Sequence, residues 1–132
     1  MHLTETFEHD AREISHSRQF VSSALERSGV QATDDVLLVT SEMVTNAVLH
    51  GAGQIEVHID IDAGCVHLEV YDEGGSPPAP RPMPEATARG GRGLPLIGRL
   101  SSAWGARLDR GRTLVWADLS APTLGGSSSL SS

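Results

Sequence analysis

The sequence predicts an α+β protein: a two-layer α/β sandwich with helices on one face of a mixed, mainly antiparallel sheet. Three observations point there. Two segments with a helical period lie before Gly51. Two segments of strict apolar–polar alternation follow at once. After a long Gly/Pro stretch, a short helical segment and two more strands close the chain, giving the order (β)-α-α-β-β-loop-α-β-β.

Leu3–Phe7 reads as a short first strand. From about Asp10 to Ser28 the period is helical, with Ile14, Val21 and Leu25 on one side and Phe20 and Ala24 beside them. Gly29 supplies the stop. The second helix starts near Thr33 or Asp34, both good N-caps, and runs to His50. Val36, Thr40, Met43, Val44 and Ala47 form its apolar face, widened by Leu37, Val39 and Val48. Within Gln54–Asp62, Ile55, Val57, Ile59 and Ile61 alternate with Glu56, His58 and Asp60, the mark of a strand with one buried face. Ala63-Gly64 turns the chain into a second strand over Cys65–Asp72. Residues 73–92 carry five prolines within eight positions, a composition suited to a lid, a binding loop or disorder. Leu94–Leu100 reads as a helix, and Ala103–Asp109 and Arg112–Leu119 as strands joined at Arg110-Gly111. One domain over 1–121 is expected, with a disordered Gly/Ser-rich tail over 122–132.

At 132 residues the chain suffices for one core. Aromatics make up only 4%, so that core must be aliphatic. A net charge of −7 argues against an extended nucleic-acid or anionic-membrane surface. All ten basic residues are Arg, which excludes any mechanism that needs a lysine of this chain. The single Cys65 excludes an internal disulfide and fits a reducing compartment. The polar, acidic start MHLTETFEHD is no signal peptide, and no apolar run approaches the roughly 20 residues of a membrane span. A cytoplasmic protein is the simplest expectation.

Three places carry chemistry. Glu42 and Asn46 stand four apart on the second helix, side by side at the margin of its apolar arc. Asn46 could give Mg²⁺ one oxygen while Glu42 orients a water or accepts a proton; a solvated helix face is the plainer alternative. Asp72 is in phase with Val66, Leu68 and Val70, so its carboxylate turns inward at the strand end. It could meet a donor such as an adenine amino group, or cap the turn before Gly74. Gly90-Gly91-Arg92-Gly93-Leu94 precedes a helix, where backbone amides can approach a phosphate closely. Arg92 could touch that phosphate or simply be an exposed loop arginine. His50 could approach phosphates or favour the helix dipole. Trp104 and Trp116 are most simply core or sheet-face residues, and His58 and His67 fall on the polar sheet face without a third metal ligand.

In this order the segments resemble the GHKL ATPase superfamily, and most closely its anti-sigma-factor serine/threonine kinases. Ser41-Glu-Met-Val-Thr-Asn-Ala-Val-Leu-His50-Gly resembles the family's N-box. Tyr71-Asp-Glu-Gly74 resembles its adenine-site motif, and Gly90-Gly-Arg-Gly-Leu-Pro-Leu-Ile its second glycine box. The resemblance runs from the first helix to Leu119, and Ser76 stands where members often carry a further glycine. It implies a Bergerat-type fold binding ATP and Mg²⁺. Asn46 would coordinate Mg²⁺, Glu42 would be the catalytic base, and Asp72 would bind the adenine amino group. Gly74 would pack near the base, and Gly91 and Gly93, with Leu94 beside them, would cradle phosphates. It further implies an enzyme, a protein serine/threonine kinase that phosphorylates a small antagonist protein and sequesters a sigma factor, as a homodimer. A histidine-kinase ATP domain is less expected, since no phosphoacceptor segment precedes the first helix. The competing expectation is a non-catalytic ATP-binding interaction module.

Overall fold

The computed structural model describes residues 1–74 and 93–124. Strand β1 (His2–Phe7) is followed by helices α1 (Glu13–Arg27) and α2 (Asp34–His50). The hairpin β2 (Ile55–Asp62) and β3 (Cys65–Asp72) comes next, then α3 (Gly93–Leu100), β4 (Ala103–Asp109) and β5 (Arg112–Ser120). The strands form one sheet in the order β1-β2-β3-β5-β4. Every pair is antiparallel, so the expected mixed character is absent among the described strands.

Alternation decides the sheet. Ile55, Val57, Ile59 and Ile61 of β2, Val66, Leu68 and Val70 of β3, and Val115, Ala117 and Leu119 of β5 are buried. Helix α1 lies over β1 and β2, α2 over β3 and β5, and α3 packs on α2 and β4. Val21, Ala24 and Leu25 of α1 and Val36, Val39, Met43 and Val44 of α2 complete the aliphatic core. No helix among the described residues covers the other sheet face. Its polar side chains pair among themselves: His58 with Glu56 at 2.9 Å, Arg112 with Glu56 at 3.3 Å, and His67 with Glu69 at 3.0 Å. Trp116 stacks on His67 there, whereas Trp104 is half-buried against the core.

Local chemistry sets the boundaries. Thr33 caps α2, its Oγ1 accepting from the Val36 amide at 3.3 Å. Both hairpins turn through residues with positive φ, Ala63 (51°) with Gly64 (87°) and Arg110 (56°) with Gly111 (82°), the mirror-image turn that matches strand twist. Helix α1 begins at Glu13 and not near Asp10, because the Asp10 carboxylate accepts from the Arg12 amide and guanidinium, both at 2.8 Å. That arrangement pulls the Asp10 carboxyl down to about 2. Structured chain also continues past the expected boundary at 121. Val30 bridges Thr123, the Gln31 amide donates to Pro122 and the Leu124 amide to Gly29. The rest of the expected tail, like residues 75–92 with their prolines and Ser76, lies outside the described residues. No helix among the described residues is long and apolar enough to cross a membrane.

Candidate functional site

Strand β3 ends at the mouth of a small cavity of about 10 Å³, room for about one water, between α2 and the sheet. Met43, Asn46, Ala47 and His50 line it from α2, Gly51 from the loop beyond, and Val70, Asp72, Thr113 and Val115 from the sheet. Asp72 comes inward because it continues the buried phase of β3; it pairs in register with Thr113 of β5 and is 4% exposed. Its Oδ1 accepts from the Gly74 amide at 2.7 Å and the Ala52 amide at 3.3 Å. Its Oδ2 has no hydrogen-bond partner among the described residues. Both roles open to Asp72 are therefore compatible in one side chain: one oxygen caps the turn, and the other is left for the cavity.

The electrostatics of Asp72 follow from that setting. Burial raises its pKa above the ordinary value, and the two backbone donors and the more distant His9 oppose the rise. A buried carboxylate with no cationic side chain bonded to it among the described residues is suited to accept a neutral N–H donor.

The backbone has to come close here. A Cβ on Gly51 would strike the Asp72 carboxylate, and one on Gly74 would sit 2.9 Å from Asp72 Oδ1. The Ala52 carbonyl accepts from the Glu73 amide at 2.7 Å, and Thr113 Oγ1 donates to the Gly74 carbonyl at 2.7 Å. The ends of α2, β3 and β5 are tied into one wall.

Asn46 is 6% exposed and lines the cavity, and its Nδ2 is buried without a partner among the described residues. An orphaned buried amide at a cavity wall is costly unless a ligand or water completes it. Its oxygen is a hard donor of the kind Mg²⁺ takes, and an ion that keeps most of its waters needs few protein ligands. Asn46 thus fits such an ion. Among the described residues no group of three or more His, Cys, Asp or Glu side chains is placed to hold a metal.

The other expected residues divide. His50 is exposed and lines the cavity. Gly74 adjoins it through the Asp72 turn. Glu42 lies one turn before Asn46 on α2, half-buried, and is not among the lining residues. Gly93 and Leu94 open helix α3. Gly91 and Arg92 lie outside the described residues. Sequence reasoning missed Thr113, the Ala52 amide and the close approach of Gly51. Thr113 could have been found, since it shares the phase of Val115, Ala117 and Leu119. Gly51 was legible only as a helix stop.

Comparison with known proteins bears on the whole arrangement. The model of the histidine kinase-like ATPase domain family matches residues 7–118. The chain is also similar to the solved structure of Acinetobacter baumannii histidine kinase AdeS, with 12% identity and a TM-score of 0.51 over 89% of this chain and 67% of that one. At that identity the likeness speaks for the fold. No curated protein matches by sequence.

Proposed function

The chain belongs to the histidine kinase-like ATPase domain family, within the GHKL superfamily, and on that premise we propose that it binds ATP with Mg²⁺ and acts as a regulatory protein kinase. Asp72 carries the proposal: a buried carboxylate whose Oδ1 is held by backbone amides and whose Oδ2 is left for a ligand. The adenine amino group is a donor of the right kind for that oxygen. Met43, Ala47, Val70 and Val115 offer the base an apolar surround. Asn46 would supply an amide oxygen to Mg²⁺, with His50 near the phosphates. Gly93 and Leu94 at the start of α3, with Gly91 and Arg92 preceding them in sequence, would receive the phosphates on backbone amides. Bound Mg²⁺ would neutralise charge on the transferring phosphoryl group.

The finer proposal is a serine/threonine kinase of the anti-sigma type. Its support is the N-box-like segment Ser41–Gly51, which supplies the end of α2 and the Gly51 approach. A serine Oγ of a small antagonist protein attacks the γ-phosphorus. The new P–O bond forms as the bond to the β,γ-bridging oxygen breaks, ADP leaves, and the serine proton passes to Glu42. In its other state the protein would hold a sigma factor, as a homodimer, and these partners place its work in the cytoplasm. One observation favours the alternative of a non-catalytic ATP-binding module: Glu42 does not line the cavity.

Calorimetric titration with ATP and Mg²⁺ tests the first part. Wild type should bind, and Asp72→Asn and Asn46→Ala should bind weakly. Absence of binding by wild type removes the ATP reading. For the second part, Glu42→Ala should abolish phosphate transfer to the antagonist while ATP binding persists. Unchanged transfer takes Glu42 out of the mechanism.

A further inference from the structure

His9 lies between β1 and α1, far in sequence from the cavity. Its ring meets two main-chain carbonyls: Nε2 lies 2.9 Å from Val48 O, and Nδ1 lies 3.1 Å from Gly53 O. Carbonyl oxygens only accept, so both ring nitrogens must donate. A neutral imidazole carries one N–H and can satisfy one of these carbonyls. The imidazolium satisfies both.

The two carbonyls bracket the loop that shapes the Asp72 site. Val48 O is among the last four carbonyls of α2, which have no partner inside the helix, and positive charge at a helix C-terminus is favoured. Gly53 has φ +67°, and a Cβ there would collide with the Glu73 side chain. Between them, Ala52 donates to Asp72 and accepts from Glu73. Residues 51–53 are thus held from one side by the end of β3 and from the other by His9. The charged and titratable groups around this junction are Glu8 and Asp10 beside His9 in sequence, His50 at the end of α2, and Asp72 and Glu73 at the end of β3. Arg12 occupies Asp10, and Glu8 lies near Gln54 at 3.5 Å.

We propose that His9 is a positioning residue: its ring clamps the 51–53 loop against Asp72, so that nucleotide affinity falls when the clamp is removed. The nucleotide half of this inference rests on the ATP-binding proposal above. His9 does not touch the cavity. It acts by fixing the Ala52 amide, and with it the direction of the Asp72 carboxylate.

Two measurements test it, one without nucleotide. In the first, hydrogen exchange at the amides of Ala52 and Gly53 is followed by NMR. Wild type, His9→Gln and His9→Arg are compared. In His9→Gln the Ala52 amide should exchange with solvent roughly tenfold faster. His9→Arg keeps two donors, so it should retain protection. Unchanged Ala52 protection in His9→Gln overturns the clamp.

In the second, ATP affinity is measured for the same three proteins. His9→Gln should bind roughly fivefold more weakly than wild type, the loss of one hydrogen bond partly transmitted, and His9→Arg should bind like wild type. Equal affinity of wild type and His9→Gln overturns the link from clamp to nucleotide. If none of the three binds ATP, the ATP reading fails, and the amide measurement alone decides whether the clamp exists.

Discussion

The two faces of the sheet treat a carboxylate in opposite ways. On the open face Glu56 accepts from His58 and Arg112; the His58 bond, aided by Arg112, outweighs partial burial and lowers its pKa. On the covered side of the same hairpin, burial raises the pKa of Asp72, and only backbone amides hydrogen-bond to it among the described residues. The open-face charge is neutralised within the fold. The covered one is positioned by the fold with no cationic side chain bonded to it among the described residues, which costs stability and leaves capacity for a ligand. The uncompensated carboxylate is the functional candidate, although Glu56, His58, Glu69 and His67 form the denser cluster of titratable groups.

The sharpest way to break that comparison is Asp72→Asn. The amide oxygen still accepts from Gly74 and Ala52, but the charge is gone. ATP affinity should fall about tenfold to a hundredfold, the range of a hydrogen bond to a charged group, in calorimetric titration. Thermal unfolding should give an unchanged or raised midpoint, because a buried charge has been removed. A lowered midpoint would mean that Asp72 is structural after all.

Gly51→Ala comes next. Its new Cβ meets the Asp72 carboxylate, and denaturant unfolding should show a loss of about 1–3 kcal/mol from overpacking. Thr113→Val removes the bond to the Gly74 carbonyl at nearly constant volume and should cost about 1 kcal/mol in the same measurement.

The smallest effects belong to the open face and differ in pH dependence. At His67, burial pulls the pKa down, but Asp118 and Glu69 outweigh it and raise the value. Its pairing therefore stabilises fully below the ordinary histidine value and is lost as pH rises through the higher folded one. Glu56 has the opposite window: its contribution is present above the ordinary glutamate value and is lost as pH falls through the lowered folded one. Asp72, an acid raised by burial, should make the fold more stable as pH falls through its folded value. Replacing His67 by Gln should change stability by about 0–1 kcal/mol, since its partners are partly exposed. Unfolding of wild type and the Gln variant across pH should show the gap closing toward high pH.

Much of this architecture is written locally. Ile55, Val57, Ile59 and Ile61 announce β2 because a strand's period is two, and Thr33 announces α2 because a hydroxyl can satisfy an orphan amide. Asp72 could be read as inward-facing from phase alone. The start of α1 was misplaced because Asp10 and Arg12 bond each other in a way helical period does not express. His9 gave no signal, since neither of its contacts is local: Val48 and Gly53 are 39 and 44 residues away.

By itself, then, the sequence determined the element order, the faces that would be buried, the two hairpin turns and the residue types that could meet a nucleotide. Those depend on period, on backbone dihedrals and on side-chain chemistry, all properties of neighbours along the chain. Only the tertiary structure decided that Gly51 must lack a side chain because Asp72 is against it. It also decided that Thr113 stands opposite Asp72 in register, that Asn46 is left with an unpartnered amide, and that one imidazole holds two distant carbonyls. These are matters of which atoms meet across the fold, and that is set by how the α2 layer seats on the sheet.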